Sequence, residues 1–157
     1  LWQRSAARAS GADAAVRRVE ALTGSAYCMI RLARAPEARA AVIEAVSIAR
    51  AAERWDLVAD AAAMLNRRGV WAWREPGSFD QAFLDTLHEA LDHVDDVRRA
   101  RLLAVLQSEH YFAWNAGVAD DLGERALAVA RASGDEAVLV AVLLAYVVAH
   151  SGPGPSA

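Results

Sequence analysis

The sequence predicts an all-α protein, built as an α-solenoid of stacked antiparallel helix pairs. Three observations predict it. Alanine, leucine and arginine, all strong helix formers, dominate the chain, while Gly and Pro fall almost wholly between periodic blocks. No run of β-branched residues alternates with period two between turn signals, so no strand is expected. Small and apolar residues also recur in one register along the chain, the mark of a repeated unit.

The elements follow in order. Residues 12 to 22 form a short helix with Val16, Val19 and Leu22 on one stripe. Thr23-Gly24-Ser25 is expected to break it, and a second helix runs to about Arg34. Pro36 suits the first turn of a helix that continues to about Ala52, with Val42, Ala45, Ile48 and Ala49 inward. Glu53-Arg54 turns the chain into residues 55 to 68, which carry Leu57, Val58, Ala61 and Leu65. Gly69 ends that helix as a left-handed residue past a C-terminus would. After a loop from Gly69 to Ser78, the helix from Phe79 to Val94 places Phe83, Leu87, Ala90 and Leu91 on one side. Asp95-Asp96 caps the next helix, in which Leu102, Leu103 and Leu106 repeat at helical spacing. Residues 118 to 133 and 135 to 150 form a last pair, split by Ser133-Gly134-Asp135.

Sliding the chain on itself aligns Ala45, Ala90 and Ala126, at offsets of 45 and then 36 residues. The same register aligns Val46 with Leu91 and Leu127, Leu57 with Leu102 and Val138, Val58 with Leu103 and Leu139, and Ala61 with Leu106 and Val142. Each unit is a first helix with a small residue at its centre, a turn, and a second helix with an apolar pair. Small residues let two helices approach closely, as helix pairs do in a superhelix. The expected architecture is therefore tetratricopeptide-like, with an irregular helical bundle as the alternative. Its units are residues 36–68, 79–108 and 118–150, preceded by a degenerate helix pair in 1–35 and followed by a linker-like tail, 151–157.

Composition narrows the function classes. A chain of 157 residues suggests one domain, and 55% hydrophobic against 24% charged residues excludes intrinsic disorder. The formal charge of -3 speaks against direct nucleic acid contact, which needs clustered positive charge. Cys28 is the one cysteine, which excludes an internal disulfide and fits a reducing, cytoplasmic setting. Every cationic side chain is arginine, so the lysine of a phosphate-binding GxxxxGK[ST] loop is lacking. The opening Leu1-Trp2-Gln3-Arg4 shows neither an initiator Met nor a secretory pattern, and the chain is expected to be a segment of something longer.

No catalytic, cofactor-binding or metal-binding residue is assigned, and the chain is read as a non-enzyme. His88 and His93 are five apart and diverge by roughly 140° on a helix, whereas zinc-binding HExxH puts its histidines four apart on one face. His88 pairs more simply with Asp92 on the surface. Asp95-Asp96 and Asp120-Asp121 are expected just ahead of helices, as caps, and Cys28 is expected to pack.

Aromatic residues carry more. Trp71 and Trp73 lie at one junction between units, and Tyr111, Phe112 and Trp114 at the next, adjacent on the same edge of a solenoid. They either staple neighbouring units or form an aromatic patch, with Arg74 and Glu75 at its rim, that receives a peptide or small ligand. The first helices of the units would line a groove whose polar candidates are Arg50, Gln81, Asp85, His88 and Asp92. The last helix, residues 137 to 149, is apolar on every side yet shorter than the roughly 20 residues of a membrane span. It needs a cover, either a following unit or a second copy, with Leu139, Leu143 and Tyr146 as self-association candidates.

The stretches Gly69-Val70-Trp71-Ala72-Trp73-Arg74, Leu87-His88-Glu89-Ala90-Leu91, Arg99-Ala100-Arg101-Leu102-Leu103-Ala104 and Glu124-Arg125-Ala126-Leu127-Ala128-Val129-Ala130-Arg131, followed by Gly134-Asp135, occur in that order. Together they resemble the tetratricopeptide-like C-terminal region of large bacterial, chiefly actinobacterial, transcriptional regulators. These are the LuxR-type large ATP-binding regulators and the antibiotic regulatory proteins. The resemblance covers about residues 38 to 150. It implies a protein-interaction and regulatory arm whose partners are the ATPase and DNA-binding parts of a parent regulator. Two other readings of the residues stand beside it: a small-molecule sensor with an apolar pocket between units, and a structural dimerisation module.

Overall fold

The computed structural model describes residues 2–67, 77 and 80–151, the side chains of 2–10, 12 and 151 excepted. The described residues form seven α-helices and one 3-10 turn. In chain order they are α1 (Trp2–Arg31), α2 (Ala35–Ala51), α3 (Trp55–Ala62) with the 3-10 turn Ala63–Asn66, α4 (Gln81–Ala90), α5 (Asp96–Phe112), α6 (Ala116–Ser133) and α7 (Glu136–Ser151). No strand occurs among the described residues.

The helix ends are set by local chemistry. Asp80 and Asp95 cap α4 and α5, accepting from the backbone N–H groups of Phe83 (3.0 Å) and Arg98 (2.9 Å). Asp135 accepts from Val138 N–H at 3.0 Å and starts α7 in the same way. Past the C-termini, Ala33, Glu53 and Trp114 take the left-handed conformation (φ 56°, 53° and 60°), as does Gly134 (φ 69°). At the first three, the next N–H reaches back to a carbonyl of the last turn: Arg34 to Met29, Arg54 to Ala49, Asn115 to His110. These are the paired-bond stops usually given to glycine.

Helix α5 is the hub. It packs against α6 and α7 on one side and against α3, its 3-10 turn and α4 on the other, while α2 joins α1 to α3. Most positions aligned by the repeat register lie in this core, while Leu57, Leu91 and Leu139 are partly buried against it. Ala45, Ala90 and Ala126 are all fully buried, as are Ala61, Leu106 and Val142. A methyl group at those positions allows close approach of helices, and a larger side chain would hold them apart.

Four expectations are corrected. Thr23-Gly24-Ser25 does not break the first helix, and α1 runs through it. Thr23 Oγ1 donates to the Val19 carbonyl at 2.9 Å, and Val19 and Ala26, buried on either side, outweigh the cost of one helical glycine, about 1 kcal/mol. The degenerate pair expected in residues 1–35 is thus one helix. Asp120 and Asp121 sit inside α6 and cap nothing. Cys28 is exposed, because it lies on the side of α1 opposite the buried Ala26 stripe. The helix expected from Phe79 to Val94 is shorter, with Asp80 as its cap and a turn after Ala90. The helix end at Gly69 lies outside the described residues.

Candidate functional site

The C-terminal half of α5 carries four successive buried polar residues, Gln107, Ser108, Glu109 and His110. Successive helical residues turn by about 100°, so the four reach different neighbours. Ser108 Oγ donates to Asn66 Oδ1 at 3.1 Å, on the 3-10 turn. Glu109 takes both arms of the Arg39 guanidinium, at 3.1 and 3.0 Å, reaching α2. The Arg39 Cζ also lies 5.5 Å from the centroid of the Phe83 ring on α4, so one cation joins three helices. Burial lowers the Arg39 pKa, while the charge of Asp80 works in the opposite direction. His110 faces the His88 ring of α4, centroids 6.4 Å apart. Gln107 faces α6 and α7 at Gly123 and Tyr146, and both its amide atoms are buried without a hydrogen-bond partner.

This run was not among the residues singled out from the sequence. A signal was present: Gln107-Ser108-Glu109-His110 continues, without a break, the apolar run Leu102-Leu103-Ala104-Val105-Leu106, which no polar residue interrupts and which marks a stretch of helix buried all round.

The groove candidates stay on the surface. Arg50 Nη2 pairs with Glu89 Oε2 at 2.7 Å, tying α2 to α4, and Gln81 Nε2 donates to Asp85 Oδ1 at 2.6 Å. His88, Asp85 and Asp92 are exposed, and His88 meets His110 rather than Asp92 among the contacts of its ring. Trp71, Trp73, Arg74 and Glu75 lie outside the described residues. At the second junction, Tyr111 and Phe112 are half-buried in the last turn of α5, edge to face with centroids 5.3 Å apart. Trp114 is 51% exposed. Gly77 donates its N–H to the Phe112 carbonyl at 2.8 Å and lies against the Trp114 indole, so the chain between the two junctions does come to the second one.

Helix α7 divides into two faces. Val138, Val142 and Ala145 are buried, and Leu139 and Tyr146 pack partly against the core. The Tyr146 hydroxyl donates to Glu124 of α6, and its ring stacks on His150, centroids 4.0 Å apart. Of the three self-association candidates only Leu143 is therefore on the exposed side. It is joined there by Val140, Leu144 and Val147, which are 57%, 62% and 54% exposed. A helix apolar on every side is here buried on only one.

Among the described residues, no three His, Cys, Asp or Glu side chains gather as ligands for a metal ion. No described helix is long and apolar enough to cross a membrane. The chain matches no protein-family model, no curated protein and no solved structure. The fold and its surfaces define an all-helical protein with a polar-laced hub helix and one apolar outer helix face.

Proposed function

We propose that the chain is a non-enzymatic helical-repeat interaction module that pairs with a second copy of itself through α7. The observation that carries this reading is the exposed seam Val140, Leu143, Leu144 and Val147. Its spacing of i, i+3, i+4 and i+7 makes a continuous apolar stripe of the kind that helices pack together. No charge interrupts the stripe to specify a partner of opposite sign, so a self-complementary two-fold contact is the simplest cover. Contiguous exposed apolar surface of this kind marks an interaction site.

The repeat architecture is part of the same proposal. The equivalent positions Ala45, Ala90 and Ala126 share full burial, and the turns at Glu53 and Gly134 share the left-handed stop. By its resemblance, the module serves as the regulatory arm of a cytoplasmic multidomain transcriptional regulator, contacting that protein's other domains.

Molar mass by light scattering tests the reading. The wild-type chain is expected to be a dimer at micromolar concentration, and Leu144→Glu with Val147→Glu a monomer of unchanged helicity by circular dichroism. A wild-type monomer would remove the basis for self-association.

A further inference from the structure

We propose that the cavity between α3, α5 and α7 binds a small organic carboxylate with a compact apolar body. The cavity measures about 430 Å³, within the range of small-molecule sites. It opens where the 3-10 turn after α3 and the start of α7 lie across α5 from each other. Its accessible apolar wall is made by Ala63, Ala137 and Ala141, backed by the buried Met64, Ala104 and Val142, and the small alanines are what leave the space open.

The polar wall has an excess of positive charge. Asp60, the acid on this wall, has both carboxylate oxygens engaged by Arg98, at 3.2 and 3.0 Å. Arg67 and Arg101 line the same cavity, and among the described residues neither has a carboxylate within ion-pair distance. Among the described residues, the Arg67 guanidinium meets soft partners, the Met64 sulfur at 3.7 Å and the face of the Tyr27 ring with its centroid at 5.9 Å. Asn66 lines the same wall, but its Oδ1 accepts from Ser108 and its Nδ2 is buried away from the surface, so the two arginines carry the polar side of the site.

Two guanidinium groups fit an anion, and the planar fork of arginine matches a carboxylate. Inorganic phosphate would satisfy the donors but leave the wall of Ala137 and Ala141 facing solvent. A carboxylate with an apolar body covers both. Bound there, it would brace α7, which packs mainly on α5 and α6, against the α3 turn.

Phenylacetate is the probe, with 2-phenylethanol as its uncharged counterpart and inorganic phosphate as the bare anion. The measurements are thermal unfolding and titration calorimetry. Phenylacetate is expected to raise the melting temperature saturably, since it binds the folded state only, and the two controls are expected to do much less. Arg101→Gln should weaken binding by about tenfold or more, the loss of one charge-assisted contact. Ala141→Leu should abolish binding by filling the cavity. Arg67→Gln, at an exposed position, serves as the second variant if Ala141→Leu unfolds. The proposal is overturned if phenylacetate has no effect at about 10 mM. It is overturned equally if 2-phenylethanol or phosphate matches it, or if the folded variants bind as the wild type does.

Discussion

Arg39 and Glu109 lie 70 positions apart and form a two-pronged ion pair whose side chains are only 15% and 4% exposed. The pair fastens α2 to the hub helix, with the Phe83 ring of α4 under the guanidinium. A buried pair of this kind adds little net stability over a well-packed apolar pair, but breaking it is costly. Arg39→Met is expected to destabilise the fold by about 1.5–3 kcal/mol, because the two charge-assisted bonds from Arg39 to the buried Glu109 are lost. Arg39→Met with Glu109→Leu should recover most of that loss. Urea denaturation of the three proteins decides it, and an additive double variant would show that the two residues do not act as a pair.

Gln107 predicts an effect of opposite sign. It is fully buried and neither of its amide atoms has a partner. Gln107→Met keeps the shape and removes the unpaired polar atoms, so stability should rise by about 1–3 kcal/mol. Gly123 explains why the neighbouring position cannot grow: a Cβ there would fall inside the Gln107 amide and 3.0 Å from Tyr146 Cδ2. Gly123→Ala, ordinarily favourable in a helix, should therefore cost about 1–3 kcal/mol, and the cost should shrink in a Gln107→Ala background. Equal melting temperatures for wild type and Gly123→Ala would contradict this packing.

The left-handed stops can be exchanged. Ala33 and Glu53 hold φ near +55° without being glycine, at a strain of about 1–2 kcal/mol each, partly offset in a glycine variant by its freer unfolded chain. Ala33→Gly and Glu53→Gly should each gain about 0.5 kcal/mol. Gly134→Ala should lose about 1 kcal/mol through conformation alone, since nothing lies within 4 Å of its added Cβ. Differential scanning calorimetry reads all three.

Acid should weaken the fold through carboxylates that the folded state holds below their usual range. The Asp95 carboxyl sits below the usual range because it accepts from the Arg98 backbone N–H and pairs with the Arg98 side chain. Asp56 is lowered chiefly by its bond to Arg54. A carboxyl lowered in the folded state contributes stability that is complete above its unfolded value, about pH 4, and is lost as pH falls through its folded value. Stability should therefore fall below about pH 4, and Asp95→Ala should cost about 1 kcal/mol at neutral pH and proportionately less at about pH 2. A constant difference between wild type and variant across that range would rule out the cap as the titrating group.

The all-helical class, most helix boundaries and the core stripes were decided by the sequence itself. Helix propensity and the 3.6-residue period act over neighbouring residues, so Val42, Ala45, Leu87, Leu102 and Leu106 announce their burial in a single chain. The cap at Asp95 is equally local, which is why it could be read at once. Tertiary packing alone decided the rest. Thr23-Gly24-Ser25 carries a genuine break signal, overruled by the contacts of Val19 and Ala26. The exposed α7 seam could not be separated from its buried face, because a helix made wholly of Ala, Val and Leu has no polar side to set its rotation. Arg67, Asn66 and Arg101 come to one cavity only because α3, α5 and α7 are brought together, and the Arg39–Glu109 pair exists only once α2 lies against α5. Periodicity tells which side of a helix turns inward, whereas the partner it meets there depends on contacts between residues far apart in the chain.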